Sequence, residues 1–130
     1  MRRVVLLLLA PIFIAACAGG DLATLTELLD EDVVGAVDLG AGMRPRPPVR
    51  GRDNVTRGLL VHLSGRAGIT LVSHPVNGQP GALAFRDRVL DGLVLLTTER
   101  GVIVDIHVIQ DPRKLASIDA MSQSRRLNRP

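Results

Sequence analysis

The chain has 130 residues, a formal net charge of +3, 46% apolar and 2% aromatic residues, one cysteine, and neither Trp nor Tyr. That length gives one domain with one modest core, built from aliphatic side chains. The scarcity of aromatics excludes a base-stacking surface for single-stranded nucleic acid, and one cysteine excludes an internal disulfide or a cysteine-rich metal site.

The amino terminus supports two readings. Arg2 and Arg3, an apolar run from Val4 to Ala16, and Ile14-Ala15-Ala16 ahead of Cys17 have the layout of a lipoprotein signal, with Cys17 as the residue to be lipidated. On this reading residues 1–12 are an apolar leader, too short to serve as a comfortable permanent span. Alternatively, FIAACAGGDLATLTELLDEDVV is one structural unit: a helix from about Ile12 to Ala18, a break at Gly19-Gly20, and a second helix capped by Asp21. Leu22, Leu25, Leu28 and Leu29 would then form one apolar face, and Cys17 would be a small core residue.

Val33 to Asp38 reads as a short strand, and LGAGMRPRPPVR as an irregular, solvated connector. GRDNVTRGLLVHL returns to helical spacing, with Asp53 as the expected cap, Val55, Leu59, Leu60 and Leu63 as the buried face, and Gly58 as a weak point. After Gly68 the texture becomes β: ITLVSHPV, ALAFRD, VLDGLVLLTT and VIVDIHVI, with Glu99-Arg100-Gly101 turning between the last two. Those two runs are apolar on both faces and are expected at the centre of the sheet. The order predicts an α+β fold: a cone-shaped roll with N-terminal helices packed on a curved, mostly antiparallel sheet. Residues 13–118 form the domain, and 119–130, with Arg125, Arg126 and Arg129, form a basic polar tail.

Catalytic chemistry is thinly supplied. Asp105 and His107 lie two apart on one strand and share a face; with Asp38 they are the candidate acid/base residues of a pocket, or else contact residues. His62 and His74 are expected to be structural. No spacing of His, Cys, Asp and Glu suits a metal, and no phosphate loop, nucleophile elbow or helix-turn-helix pattern is present. No cofactor is expected. The most specific stretch is Asn77-Gly78-Gln79-Pro80-Gly81, within VNGQPGAL. Asn77 and Gly78 suit a tight turn because both tolerate positive φ, Pro80 stiffens the exit, and Gly81 allows close approach of another group. Two posed amides neither transfer protons nor hold metals, but they suit recognition of peptide groups.

From Phe13 to Leu115 the chain resembles the SnoaL-like C-terminal domain found on a subset of extracytoplasmic-function RNA polymerase sigma factors. The resemblance is carried by FIAACAGGDLATLTELLDEDVV, GRDNVTRGLL, VNGQPGAL and the closing QDPRKL. It implies a nuclear transport factor 2-like cone that regulates sigma activity by packing on the promoter-binding sigma regions, with Asn77 to Gly81 at the contact. The acidic-glycine stretch of that family appears as Asp38-Leu39-Gly40-Ala41-Gly42. No promoter-binding sigma region precedes Phe13, so the expectation is a stand-alone or truncated regulatory domain. It would be cytoplasmic, would bind sigma regions or core polymerase, would make no direct nucleic-acid contact, and would be able to homodimerise. The alternatives are an exported, membrane-anchored lipoprotein with a ligand-binding cone, or a small SnoaL-like cyclase or isomerase.

Overall fold

The computed structural model describes residues 2–118, with side chains from Leu8 onward. Helix α1 (Arg2–Gly19) is continuous through Pro11 and so begins well before the expected Ile12. Leu9, Phe13, Ala16 and Cys17 recur at intervals that place them on one stripe, and all four are buried. The helix stops where Gly20 adopts φ +65°: Asp21 N–H donates to Ala16 O at 2.8 Å and Gly20 N–H to Cys17 O at 3.3 Å, the paired bonds of a Schellman stop. Asp21 then caps α2 (Leu22–Leu28), accepting from Thr24 N–H at 3.1 Å and from the Thr24 hydroxyl at 2.6 Å. The expected four-leucine face loses one member. Leu25, Leu28 and Leu29 are buried, whereas Leu22, in the first turn, stays 57% exposed.

Strand β1 (Leu29–Asp38) starts four residues earlier than its apolar pattern suggests. Leu29 and Val33, four apart and so on one face of a strand, are both buried across the polar run Asp30-Glu31-Asp32, and the ladder shifts register between Leu29 and Val34. After the exposed 41–48 loop, β2 (Val49–Arg50) pairs antiparallel at the edge of β1. Helix α3 (Arg52–Leu63) begins after Gly51, whose φ of +92° makes the entry turn. Asp53 lies inside the first turn, so it is not the expected cap, although it still favours the helix electrostatically. Val55, Leu59 and Leu63 are buried and Leu60 is half-buried against the same core.

The sheet has the order β2-β1-β6-β5-β4-β3, with β3 (Ile69–Ser73), β4 (Gly81–Arg86), β5 (Val89–Glu99) and β6 (Val102–Ile109). Every pairing is antiparallel except β1 with β6. The two doubly apolar runs, β5 and β6, lie centrally as their composition predicts. Two-residue turns at Asp87-Arg88 and Arg100-Gly101 have positive φ at both positions, matching the twist of the strands they join. Strand alternation separates two cores. Val94, Leu96, Ile103 and Ile106 pack against α1, α2 and α3, while Leu83 and Leu93 on the opposite face pack against Leu115 of a last helix, α4 (112–118).

Thr56 is the one buried side-chain polar group without a hydrogen-bond partner among the described residues; it is 1% exposed in the middle of α3. An unsatisfied buried hydroxyl costs on the order of 1–3 kcal/mol. Thr56→Val keeps the shape and removes the hydroxyl, so chemical denaturation should show a gain of about 1 kcal/mol; a loss would mean that the hydroxyl has a partner.

Candidate functional site

The segment between β3 and β4 is fixed by backbone bonds on both sides of its tip. Val76 and Gln79 exchange N–H···O bonds of 3.0 and 2.9 Å, closing a two-residue turn in which Asn77 has φ +50° and Gly78 φ +79°. Below it, His74 N–H donates to Gly81 O at 2.9 Å, and Pro80 O accepts from Leu96 N–H at 2.9 Å. Gly81 is buried, and a Cβ there would lie 2.7 Å from His74 O and 3.0 Å from Val94 O. The close approach anticipated at Gly81 is therefore that of the protein's own backbone.

The two amides differ in how far they are committed. Asn77 is exposed, and its side chain makes no hydrogen bond among the described residues. Gln79 is half-buried and donates through Nε2 to Thr97 Oγ1 at 3.2 Å, which orients its amide. Thr97 stands opposite Asp105, and Leu95 opposite His107. Alternation puts these four on the face away from α1, α2 and α3, with Leu83 and Leu93. Asp105 pairs in register with Val34 and His107 with Ala36 of β1, and Asp38 lies two residues beyond Ala36 on that face. Thus the outer face brings the hairpin into line with Asp105, His107 and Asp38. None of the three lines the cavity on the other side of the sheet.

Asp38 is engaged structurally. Its Oδ2 accepts from Lys114 Nζ at 2.5 Å, its Oδ1 from Gly40 N–H at 2.9 Å, and its backbone oxygen from Gln110 N–H at 2.8 Å. The Lys114 hydrogen bond, then the Gly40 bond, hold the Asp38 carboxyl below its ordinary range. The closing QDPRKL supplies the rest of the clamp. Asp111 caps α4 by accepting from Arg113 N–H at 3.0 Å, Pro112 takes the first helical position, and Leu115 is buried against the sheet. Gly40, at φ +100°, lies so close to Asp111 that a Cβ would meet its Cγ at 2.8 Å. The acidic-glycine stretch and QDPRKL are thereby two halves of one contact that seats α4 on the outer face.

Cys17 has no solvent exposure, and burial pushes its thiol up to about 12. Processing ahead of Cys17 would remove Leu9, Phe13 and Ala16, all members of the main core. Among the described residues no helix is long and apolar enough to cross a membrane, and no group of three His, Cys, Asp or Glu residues is placed to hold a metal.

The inner face holds a cavity of about 230 Å³ between α3 and the β1–β6 pair. Its ionisable lining residues are Arg46, His62, Arg86 and Asp91, which sequence reasoning did not group. Only the alternation Ala82, Ala84, Arg86 in β4 hinted that an arginine ends a row of inward-facing residues.

No family model matches the chain. Over 108 residues it is 44% identical to the probable ECF RNA polymerase sigma factor SigI of Mycobacterium tuberculosis, in two strains. The match covers 83% of this chain, which spans 36% of the length of those relatives. Among solved structures, the extracytoplasmic function sigma factor SigJ of M. tuberculosis is 28% identical with a TM-score of 0.63, over 83% of this chain and 42% of that one. An NTF-2 like protein from Burkholderia xenovorans superposes with a TM-score of 0.62 at 17% identity, over 86% and 88%. An LEH-like epoxide hydrolase of M. tuberculosis does so at 0.52 and 13% identity, over 83% and 84%; these last two likenesses concern the fold alone.

Two measurements check this geometry. Cys17 should resist alkylation in the native protein and react at once in denaturant; equal native and denatured rates would place the thiol at the surface. Because the folded Asp38 carboxyl titrates below its ordinary 3.8, its contribution to stability is complete above that value and is lost as pH falls through the depressed one. Asp38→Asn should therefore flatten the acid limb of a pH–stability profile, and an unchanged limb would contradict the clamp.

Proposed function

We propose that this chain, homologous to part of the ECF RNA polymerase sigma factors and folded as a nuclear transport factor 2-like cone, is a non-catalytic regulatory module. It modulates transcription initiation by gripping another polypeptide through Asn77, Gly78, Gln79, Pro80 and Gly81. The observation that carries this reading is the state of the hairpin: a tip held by paired backbone bonds, an exposed Asn77 amide with no partner among the described residues, and a Gln79 amide oriented by Thr97. A preformed tip of this kind loses little conformational entropy on binding.

The partner is a sigma region or the polymerase core, and the site of action is the cytoplasm. The 44% identity to SigI supports that partner class. Direct nucleic-acid contact is disfavoured by the placement of the two phenylalanines. Phe13 is buried, and Phe85 is half-buried against the outer core, so neither offers a free stacking face. The non-catalytic reading is supported by the position of Asp38, Asp105 and His107 on the face opposite the cavity, with Asp38 already held by Lys114. Asp105 and His107 stand beside Thr97 and Leu95 as further contact residues of the hairpin's face.

The test is capture of purified sigma regions and core polymerase by the immobilised full chain. The double variant Asn77→Ala/Gln79→Ala should weaken capture at least about tenfold, the loss expected when central contact residues are truncated. Equal capture by the double variant would remove the hairpin from the interface.

A further inference from the structure

The cavity on the inner face is separate from the hairpin's face, and its walls and mouth differ in chemistry. Val37, Val55, Leu59 and Val108 contribute aliphatic walls, and by the volume that water takes in the liquid the space equals on the order of eight waters. Its lining also includes the exposed side chains of Arg46 and Arg86 against the single carboxylate of Asp91. The one ion pair among the described residues joins Lys114 to Asp38, so neither arginine is neutralised by a carboxylate there. Arg86 donates once, to Ala67 O at 2.7 Å, which steadies the side chain and leaves most of its fork of donors unused.

Gly58 is the second indication. It lies within α3, where glycine weakens a helix, and a Cβ built on it has no neighbour within 4 Å. Close packing therefore does not require glycine at this position, and Gly58 lines the cavity. What the missing side chain preserves is open volume.

We propose that this cavity binds a small amphipathic carboxylate, its aliphatic body against Val55, Leu59 and Val108 and its carboxylate on the guanidinium of Arg86, with Arg46 adding positive charge at the rim. The planar fork of arginine matches a carboxylate, and a charge-assisted bond at the edge of an apolar site is stronger than its neutral counterpart. Such a ligand would give the module an input on the face opposite its protein contact. The proposal is independent of the protein-contact reading: absence of a ligand would leave the hairpin's role untouched, and loss of hairpin binding would leave the cavity as it is.

The experiment titrates the full chain with sodium octanoate by calorimetry and by protein NMR, with 1-octanol as the uncharged control. Saturable octanoate binding is expected, with NOEs from its methylenes to methyls of Val55, Leu59 and Val108. 1-Octanol against the wild type, and octanoate against Arg86→Gln, should each bind about tenfold more weakly. Gly58→Leu should melt higher than the wild type and show no octanoate binding, because the new side chain fills the cavity. The proposal is overturned by a wild type that shows no saturable binding, by NOEs located elsewhere, by a folded Gly58→Leu that binds as well as the wild type, or by 1-octanol binding as tightly as octanoate.

Discussion

The seat of Gly81 between two backbone carbonyls, His74 O on one side and Val94 O on the other, governs the geometry of the outer face. Residue 81 can lie there only without a side chain, and its seat brings β4 alongside β5 directly below the hairpin. From that contact follow the bond between Pro80 O and Leu96 N–H and the reach of Gln79 to Thr97. The hairpin is therefore an extension of the sheet, stiffened by the same ladder that holds the centre. A loop of the same composition without this anchorage would have to be ordered by its partner, at an entropic cost subtracted from affinity.

Strands β5 and β6 serve both faces at once. Their inward residues, among them Val94, Leu96 and Ile106, close the main core beneath three helices, and Val108 continues that row along the cavity. Their outward residues carry Thr97, Asp105 and His107 beside the hairpin and Leu93 beneath α4. The clamp from Asp38 through Lys114 and Asp111 keeps α4 on the lower part of that face. It covers an apolar patch and leaves the polar strip near Gln79 uncovered. A single sheet thereby separates the hairpin's face from the open cavity beneath α3.

Much of this was legible in the sequence because local chemistry and tertiary demand agree. The Asp21 cap, the central placement of the two doubly apolar strands, and the turns at Asn77-Gly78 and Arg100-Gly101 follow from residue type alone. So does the cone, since helices ahead of a run of consecutive strands are most economically packed on one face of a sheet. The failures have physical causes. The start of β1 was hidden by the polar run Asp30-Glu31-Asp32, which sets an exposed Glu31 between the buried Leu29 and Val33, and the entry to α3 by a glycine turn that does the work expected of Asp53. Leu22 looked buried by spacing but stands in a helix too short to carry its first turn into the core. The cavity was invisible because its arginines come from a connector and from the end of a strand, and only folding brings them to one mouth.

The central claim is that another polypeptide is recognised on the outer face, at the hairpin. Its most direct test is amide chemical-shift mapping of the isotopically labelled full chain on addition of an unlabelled sigma region. The account predicts shifts concentrated at residues 77–81 and their neighbours Thr97 and Asp105, with the inner-face residues Val55 and Leu59 unmoved. Shifts confined to the cavity mouth and α3, with residues 77–81 unchanged, would contradict it.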